Sequence, residues 1–351
     1  MMLSFVITEM HQYTVRGALE SRSHPLLDQV LILSWRDFLK LPQLPATDYL
    51  FLDVERIALP VRQAAAERMS ALKREHPELR VLNPPETDLT RLAVMSRLEA
   101  AGINRFRVRP YRNLPCDWRF PAFLRRGDDH GGSASDLLHD MPTLIAEGER
   151  LTAQGMPADA LLATEFIDAR NAEGFFEKRS YFRIGERFFP ADLSGSKHWV
   201  CKGEAKDPFR VDTSKAEMIF LRGHEDEEQI KRAFDAAKVT YGRADYTAIG
   251  GHVQIFEINT NPMIETRRKM PRTLHGYVDT VLGNWLSALE AYAGPQVARA
   301  PQWIDVAPAS AIGAIEQGPR MRSLVRGALL ATGQLQRETR LRRPFRALGL
   351  L

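Results

Sequence analysis

Cysteine is scarce in this 351-residue chain: Cys116 and Cys201 are two isolated thiols, which fit neither a disulfide framework nor a zinc site and suit a reducing cytoplasm. No apolar run reaches the roughly eighteen residues that a membrane-spanning helix needs, which excludes one on sequence. The opening "MMLSFVITEMHQYTVRG" is apolar only briefly and is interrupted by Glu9 and His11, which argues against a signal peptide. There is no internal repeat, no low-complexity segment, no nucleic-acid-binding motif and no recognisable Ser-His-Asp arrangement. What remains is 44% hydrophobic and 26% charged, an ordinary globular composition, in a chain long enough for two or three domains.

The formal charge of +4 conceals an asymmetry. Between Pro319 and Leu351 stand eight arginines against Glu338 alone, a local +7, so the rest of the chain carries −3. Such a tail can meet nucleic acid, an anionic membrane surface or an acidic partner, but "MRSLVRGALLATG" also has the apolar positions of a helix that docks on its own domain.

The periodicity predicts an α/β chain with an α+β second part. "QVLILSW" (29–35), "DYLFLDV" (48–54) and "RVLN" (80–83) read as strands around an Ala-rich helix at 60–76, a small parallel layer ending near residue 85. "TDLTRLAVMSRLEAAG" reads as a helix capped by Thr87 or Asp88 and closed at Gly102. A second unit spans 86–295. It has strands at "FRVRP", "FPAFLRR" and "LLATEFID", a helix at 141–155, then the short strands "KRSYFRIG", "RFFPADL" and "HWVCKG" and helices at 226–240 and 273–293. Its halves divide near residue 168, at about 105–168 and 169–295. Residues 296–351 read as linker and basic tail. Trp199 reads as core.

The most informative stretch is "YGRADYTAIGGHVQIFEINTNP", Tyr241 to Pro262. It reads as a hairpin turned at Gly250-Gly251, yet it places Arg243, Asp245, Glu257, Asn259 and Asn261 in otherwise buried strands, a costly choice unless something satisfies them. Glu257 and Asn259 share one face, Phe256 and Ile258 the other. A two-residue loop would set Asp245 opposite Phe256. A three-residue loop, 250–252, sets it opposite Glu257, with Arg243 opposite Asn259, and is favoured because it gathers the polar groups on one face. Carboxylate and amide oxygens beside a planar cation suit a hard metal ion carrying phosphates. A closed ion pair of Arg243 with Asp245 or Glu257 is the competing arrangement.

These pieces, and "GRADY…EINTNP" above all, resemble the ATP-grasp superfamily of carboxylate-amine ligases, over roughly residues 80–270, with a closer likeness to ligases that add glutamate to a ribosomal protein. The resemblance implies the ATP-grasp fold, ATP as cosubstrate and Mg²⁺, with Mn²⁺ as an alternative. It implies metal ligation by Asp245, Glu257 and Asn259 and phosphate contact by Arg243. "ATEFID" is similar to the hinge that reads adenine through the main chain near Glu165 and Phe166, with Asp168 on the ribose. "SKHWVCKG" is similar to the strand that ends in a phosphate-binding lysine, here Lys202. Arg125 stands where the family carries another lysine, and Gly131 and Gly132 follow in the position of a phosphate-covering loop, with His130 beside them. Arg179 and Arg183 are candidates to contact the acyl phosphate or the acceptor. The implied activity joins a carboxylate, of a small molecule or a peptide, to an amine or thiol through an acyl phosphate. The alternatives are a kinase on the same scaffold and a nucleotide-binding interaction protein without turnover.

Overall fold

The computed structural model describes residues 2–21, 24–128, 131–201, 214–294 and 301–310. The chain begins with β1 (Leu3–Ile7) and α1 (Tyr13–Glu20), then β2 (Val30–Ser34), α2 (Trp35–Lys40), β3 (Gln43–Pro45), β4 (Asp48–Phe51), α3 (Leu59–Glu75) and β5 (Val81–Leu82). Strands β2, β1, β4 and β5, in that order, form a parallel sheet. β1 and β4 are buried along their whole length, as continuous apolar runs in a parallel layer should be. β1, between β2 and β4, is an addition to the sequence reading, which placed no strand before residue 29. A capping box starts α2, with Ser34 Oγ accepting from the Asp37 amide at 2.9 Å and Asp37 Oδ2 accepting from the Ser34 amide at 3.0 Å.

Next come α4 (Arg91–Ala100), β6 (Val108–Pro110), β7 (Ala122–Arg126), α5 (Met141–Ala153) and β8 (Leu161–Glu165). The helix starts at Arg91, after Thr90, three residues beyond the expected Thr87, because the Asp88 carboxylate accepts from the Thr90 amide and holds a turn there. β6, β8 and β7 form an antiparallel sheet backed by α5, with its own apolar core around Tyr111, Leu124, Leu144 and Leu161.

The last part holds β9 (Phe176–Ile184), β10 (Arg187–Ser196), α6 (Ser214–Phe220), α7 (Glu227–Ala237), β11 (Tyr241–Ile249), β12 (His252–Asn259), α8 (His275–Ala293) and β13 (Trp303–Asp305). β10, β9, β11 and β12 make a four-stranded antiparallel sheet. The expected strand "HWVCKG" is absent from its described part: β10 ends at Ser196, where the Ser196 hydroxyl accepts from the His198 amide and turns the chain. One apolar core runs from the N-terminal layer through α4 and α7 to Tyr246, Ile255 and Ile258 under the four-stranded sheet. Asn83, fully buried, ties the two: its Oδ1 accepts from the amides of Thr240 (3.0 Å) and Tyr241 (3.1 Å), and its Nδ2 donates to the Tyr241 carbonyl (2.7 Å).

The linker reading is corrected at 301–310. β13 pairs antiparallel with β3, Ile304 and Val306 are buried, and Arg68 Nη1 donates to the carbonyls of Leu39 and Ala307 at 2.9 Å each. The tail beyond 310 lies outside the described residues. No described helix is long and apolar enough to cross a membrane.

Candidate functional site

The site is built on the β11–β12 hairpin. Gly250 and Gly251 form its loop, both at positive φ (58° and 76°), as a two-residue turn that follows strand twist requires, and Ile249 pairs with His252. Counting back from so even a loop would turn Asp245 and Glu257 apart. Between Tyr246 and Asp245 the register shifts: Tyr246 pairs with Ile255, Asp245 with Glu257 and Arg243 with Asn259, leaving Phe256 as the extra residue of a bulge. The expected pairing is present, but the expected three-residue loop is not. The bulge also turns Phe256 toward the cleft, contrary to simple alternation.

On this face the charges interlock. Asp245, 8% exposed, accepts at Oδ1 from Ser180 Oγ (2.8 Å) and Arg243 Nε (3.2 Å), while Lys178 Nζ stands 3.4 Å from Oδ2. Burial opposes ionisation of Asp245, and so does Glu257, but Lys178 and Arg243 outweigh them and hold the carboxyl below its ordinary range. Asp245 in turn holds the Lys178 ammonium above its ordinary range, against burial. Glu257 Oε2 accepts from Arg91 Nη2 and Arg125 Nη2, both at 2.7 Å. The Asn259 side-chain oxygen accepts from the Asn261 amide at 2.9 Å. The competing arrangement is thus present in part, as the Arg243–Asp245 pair. Arg91, Arg125, Lys178 and Arg243 are each engaged by Glu257 or Asp245, and Glu165 and Glu177 also stand on the cleft lining.

This face looks across a cleft at β7 and β8. Phe106, Phe123, Phe166, Trp199 and Phe256 wall the cleft together with Arg125, Lys178, Asp245 and Glu257, around about 920 Å³ of space counted out to solvent. Trp199 is corrected from core to wall: half-buried, it packs on Phe123 (ring centroids 4.9 Å apart) and Phe166 (6.0 Å). Two lining groups, Arg125 Nε and Thr164 Oγ1, are buried without a hydrogen-bond partner. Each costs on the order of 1–3 kcal/mol in that state, a debt a polar ligand can cancel.

The other expected residues divide. Gly132 and Phe166 line the cleft, and Gly131 is exposed next to Gly132. Glu165 lines it too, but its carboxylate is held by Arg107 (Nε, 2.7 Å) and Arg119 (Nη2, 2.6 Å). The amides of Glu165 and Phe166 already donate to the carbonyls of Arg107 and Pro121, so those two donors are committed within the sheet. Asp168 is exposed, paired with Arg170, and outside the lining. Arg179 and Arg183 lie on the opposite face of β9. Arg179 pairs with Glu177 (2.7 Å) and Asp226 (2.8 Å), and Arg183 with Asp235 (2.6 Å). The alternation that puts Ser180 opposite Asp245 turns both away. The same alternation brings in Lys178, which the sequence reading missed although it was legible there. Arg91, on α4, carried no local signal. Lys202 and His130 lie outside the described residues.

Among the described residues no group of three or more His, Cys, Asp or Glu side chains could hold a metal. Two carboxylates and an amide on one face are a smaller oxygen set, which fits Mg²⁺, an ion that keeps water and phosphate for the rest of its shell.

A parallel α/β layer set beside two antiparallel sheets that face each other across a charged, aromatic-walled cleft makes this a mixed α/β protein with a two-sheet clasp. Similar solved structures include D-alanine–D-alanine ligase from Bacillus anthracis complexed with ATP (15% identity, TM-score 0.46, covering 83% of this chain and 98% of that one). They also include a RimK domain protein ATP-grasp from Sphaerobacter thermophilus (15%, 0.42, 81% and 99%) and the ATP-grasp ligase PsnB complexed with minimal precursor (15%, 0.46, 82% and 98%). No protein-family model and no curated protein matches the chain.

Proposed function

We propose that the protein is an ATP- and Mg²⁺-dependent ligase that activates a carboxylate as its acyl phosphate and transfers it to an amine. The observation that carries this reading is the one-faced constellation of Lys178, Arg243, Asp245, Glu257 and Asn259, set below an aromatic-walled cleft whose Arg125 Nε and Thr164 Oγ1 lack partners. A flat base fits between rings such as Phe123, Phe166 and Trp199, and the guanidinium of Arg125 and the ammonium of Lys178 on the cleft lining suit phosphate oxygens.

Asp245, Glu257 and Asn259 would hold Mg²⁺, which when bound supplies charge neutralisation between phosphate groups. Arg91 and Arg125 hold the Glu257 carboxylate in place, and Ser180 does so for Asp245. Lys178, Arg125 and Arg243 would stabilise the charge that develops on the transferring phosphoryl group, and Lys202 is proposed for the same task. Phosphoryl transfer asks mainly for positioning and such stabilisation. The carboxylate attacks the γ-phosphorus, ADP leaves, and the amine then displaces phosphate from the acyl carbon.

The test is titration of the purified full chain with Mg-ATP, then incubation with a metabolite pool, following ADP and any new mass equal to two components less water. A protein that binds no Mg-ATP at millimolar concentration overturns the reading.

A further inference from the structure

A second buried polar cluster lies where the N-terminal layer meets the end of β12. Asp53 follows β4 at its carboxyl end, 1% exposed and in the left-handed region (φ 56°, ψ 22°), a conformation a non-glycine residue adopts only when its surroundings hold it there. Its Oδ1 stands 3.0 Å from His11 Nδ1, and its Oδ2 accepts from Thr8 Oγ1 at 2.6 Å and Asn261 Nδ2 at 3.1 Å. Thr8 closes the triangle, 2.9 Å from His11 Nδ1. Because Nδ1 faces a carboxylate, it carries the ring proton, and the lone pair is left on Nε2, which has no partner among the described residues. The cluster reaches the proposed phosphate end directly: Asn261, bound to Asp53, donates its amide to Asn259. Carboxyl ends of parallel strands are where ligands of such layers sit.

We propose, resting on the ligase reading, that His11, oriented by Asp53, accepts the proton of the attacking amine, and that the amine subsite lies between the carboxyl ends of β1 and β4 and the end of β12. The amine lone pair forms the C–N bond, the bond from the acyl carbon to the phosphate oxygen breaks, phosphate leaves with that electron pair, and the N–H proton passes to His11 Nε2. The resulting imidazolium is balanced by Asp53, whose carboxyl stays ionised: burial opposes this, but His11, Arg56 and Thr8 outweigh it. Asp53 is a positioning residue. Among the described residues, Tyr13, with its ring edge-on to that of His11, and Arg56, 3.6 Å from Asp53, are the other titratable groups in contact with the pair.

Diethyl pyrocarbonate tests the geometry without any substrate, since it acylates an accessible, unprotonated imidazole nitrogen. In the native full chain, mass mapping should find His11 modified. Asp53→Asn, whose amide can donate to Nδ1 and so drive the proton to Nε2, should slow the modification by about threefold or more with the fold retained by circular dichroism. A His11 that stays unmodified in the folded protein, or a rate unaffected by Asp53→Asn, overturns the inference. Mg-ATP binding tests the ligase reading separately, so the two fail distinguishably. The chemical arm uses a mixture of proteinogenic amino acids as carboxylates, with hydroxylamine, which is neutral near neutral pH and needs no base, set against the same amino acids as amines. His11→Gln should lower amide formation by about a hundredfold or more while hydroxamate formation stays within about threefold. Equal loss of both, or unchanged amide formation, overturns the proposal. Should the mixture yield neither product with the unaltered protein, the diethyl pyrocarbonate result decides alone.

Discussion

Asp245 and Glu257 stand directly across from one another on adjacent strands although an even loop joins those strands, because Phe256 is bulged out between them and the turn. The bulge, rather than the loop, therefore determines which face the carboxylates share. One glycine inserted after Gly251 should leave Mg-ATP affinity within about twofold, since lengthening a surface loop costs little. Deleting Phe256 removes the extra residue and leaves Asp245 opposite Glu257 in a regular ladder, so binding should persist, weakened only by loss of the Phe256 wall. Calorimetric titration of both variants checks this, and an insertion that abolishes binding would show that the loop sets the register.

Glu257→Gln should harm both function and fold. A carboxylate that stood alone would be little missed by the ligand-free protein, but this one accepts from two buried arginines. Its neutralisation should cost about 3–5 kcal/mol of stability in urea titration, as removal of one partner from a buried ionic cluster does. ADP formation should fall by about a hundredfold, equivalent to about 2.7 kcal/mol of barrier. Unchanged stability would mean that the Arg91 and Arg125 contacts contribute little in solution.

Acid should act partly through Asp53. Its folded-state pKa is held below its unfolded value, so its contribution to stability is complete above about pH 4 and is lost as pH falls through the folded value. Asp53→Asn should be less stable near neutrality yet lose less on acidification, flattening the slope by up to about 1.4 kcal/mol per pH unit. Urea titrations at stepped pH below 4 would show it, and parallel curves for the two proteins would refute it.

Truncation should separate two segments once read as one. A chain ending at residue 310 should bind Mg-ATP normally, because every described residue assigned to the cleft precedes it. A chain ending at residue 300 removes Ile304 and Val306 from the N-terminal core and should lose about 3–5 kcal/mol of stability. Melting temperatures of the two truncations settle the boundary.

Much of this protein was legible in one dimension. Apolar runs bounded by turns located β2, β4, α3, α5, α7 and α8, because burial on both faces of a parallel layer, or along one stripe of a helix, leaves a periodic trace. Charged residues placed inside strands marked Asp245 and Glu257 as candidates for a ligand site, because such burial is costly without a ligand. Lys178 was equally legible by alternation from Ser180, and Arg179 and Arg183 could have been set aside by the same rule. The sequence could not reveal contacts made across long separations. That Arg91 from α4 and Arg125 from β7 meet on Glu257, that 301–310 returns to β3, and that Thr8, His11 and Asn261 converge on Asp53 depend on how separate elements pack, and no local pattern encodes that. Composition and periodicity determined the class of fold and which residues were too polar for their strands. Tertiary structure alone decided which of them meet: a single bulged residue moves a side chain from one face of a sheet to the other, and neither propensity nor spacing records it.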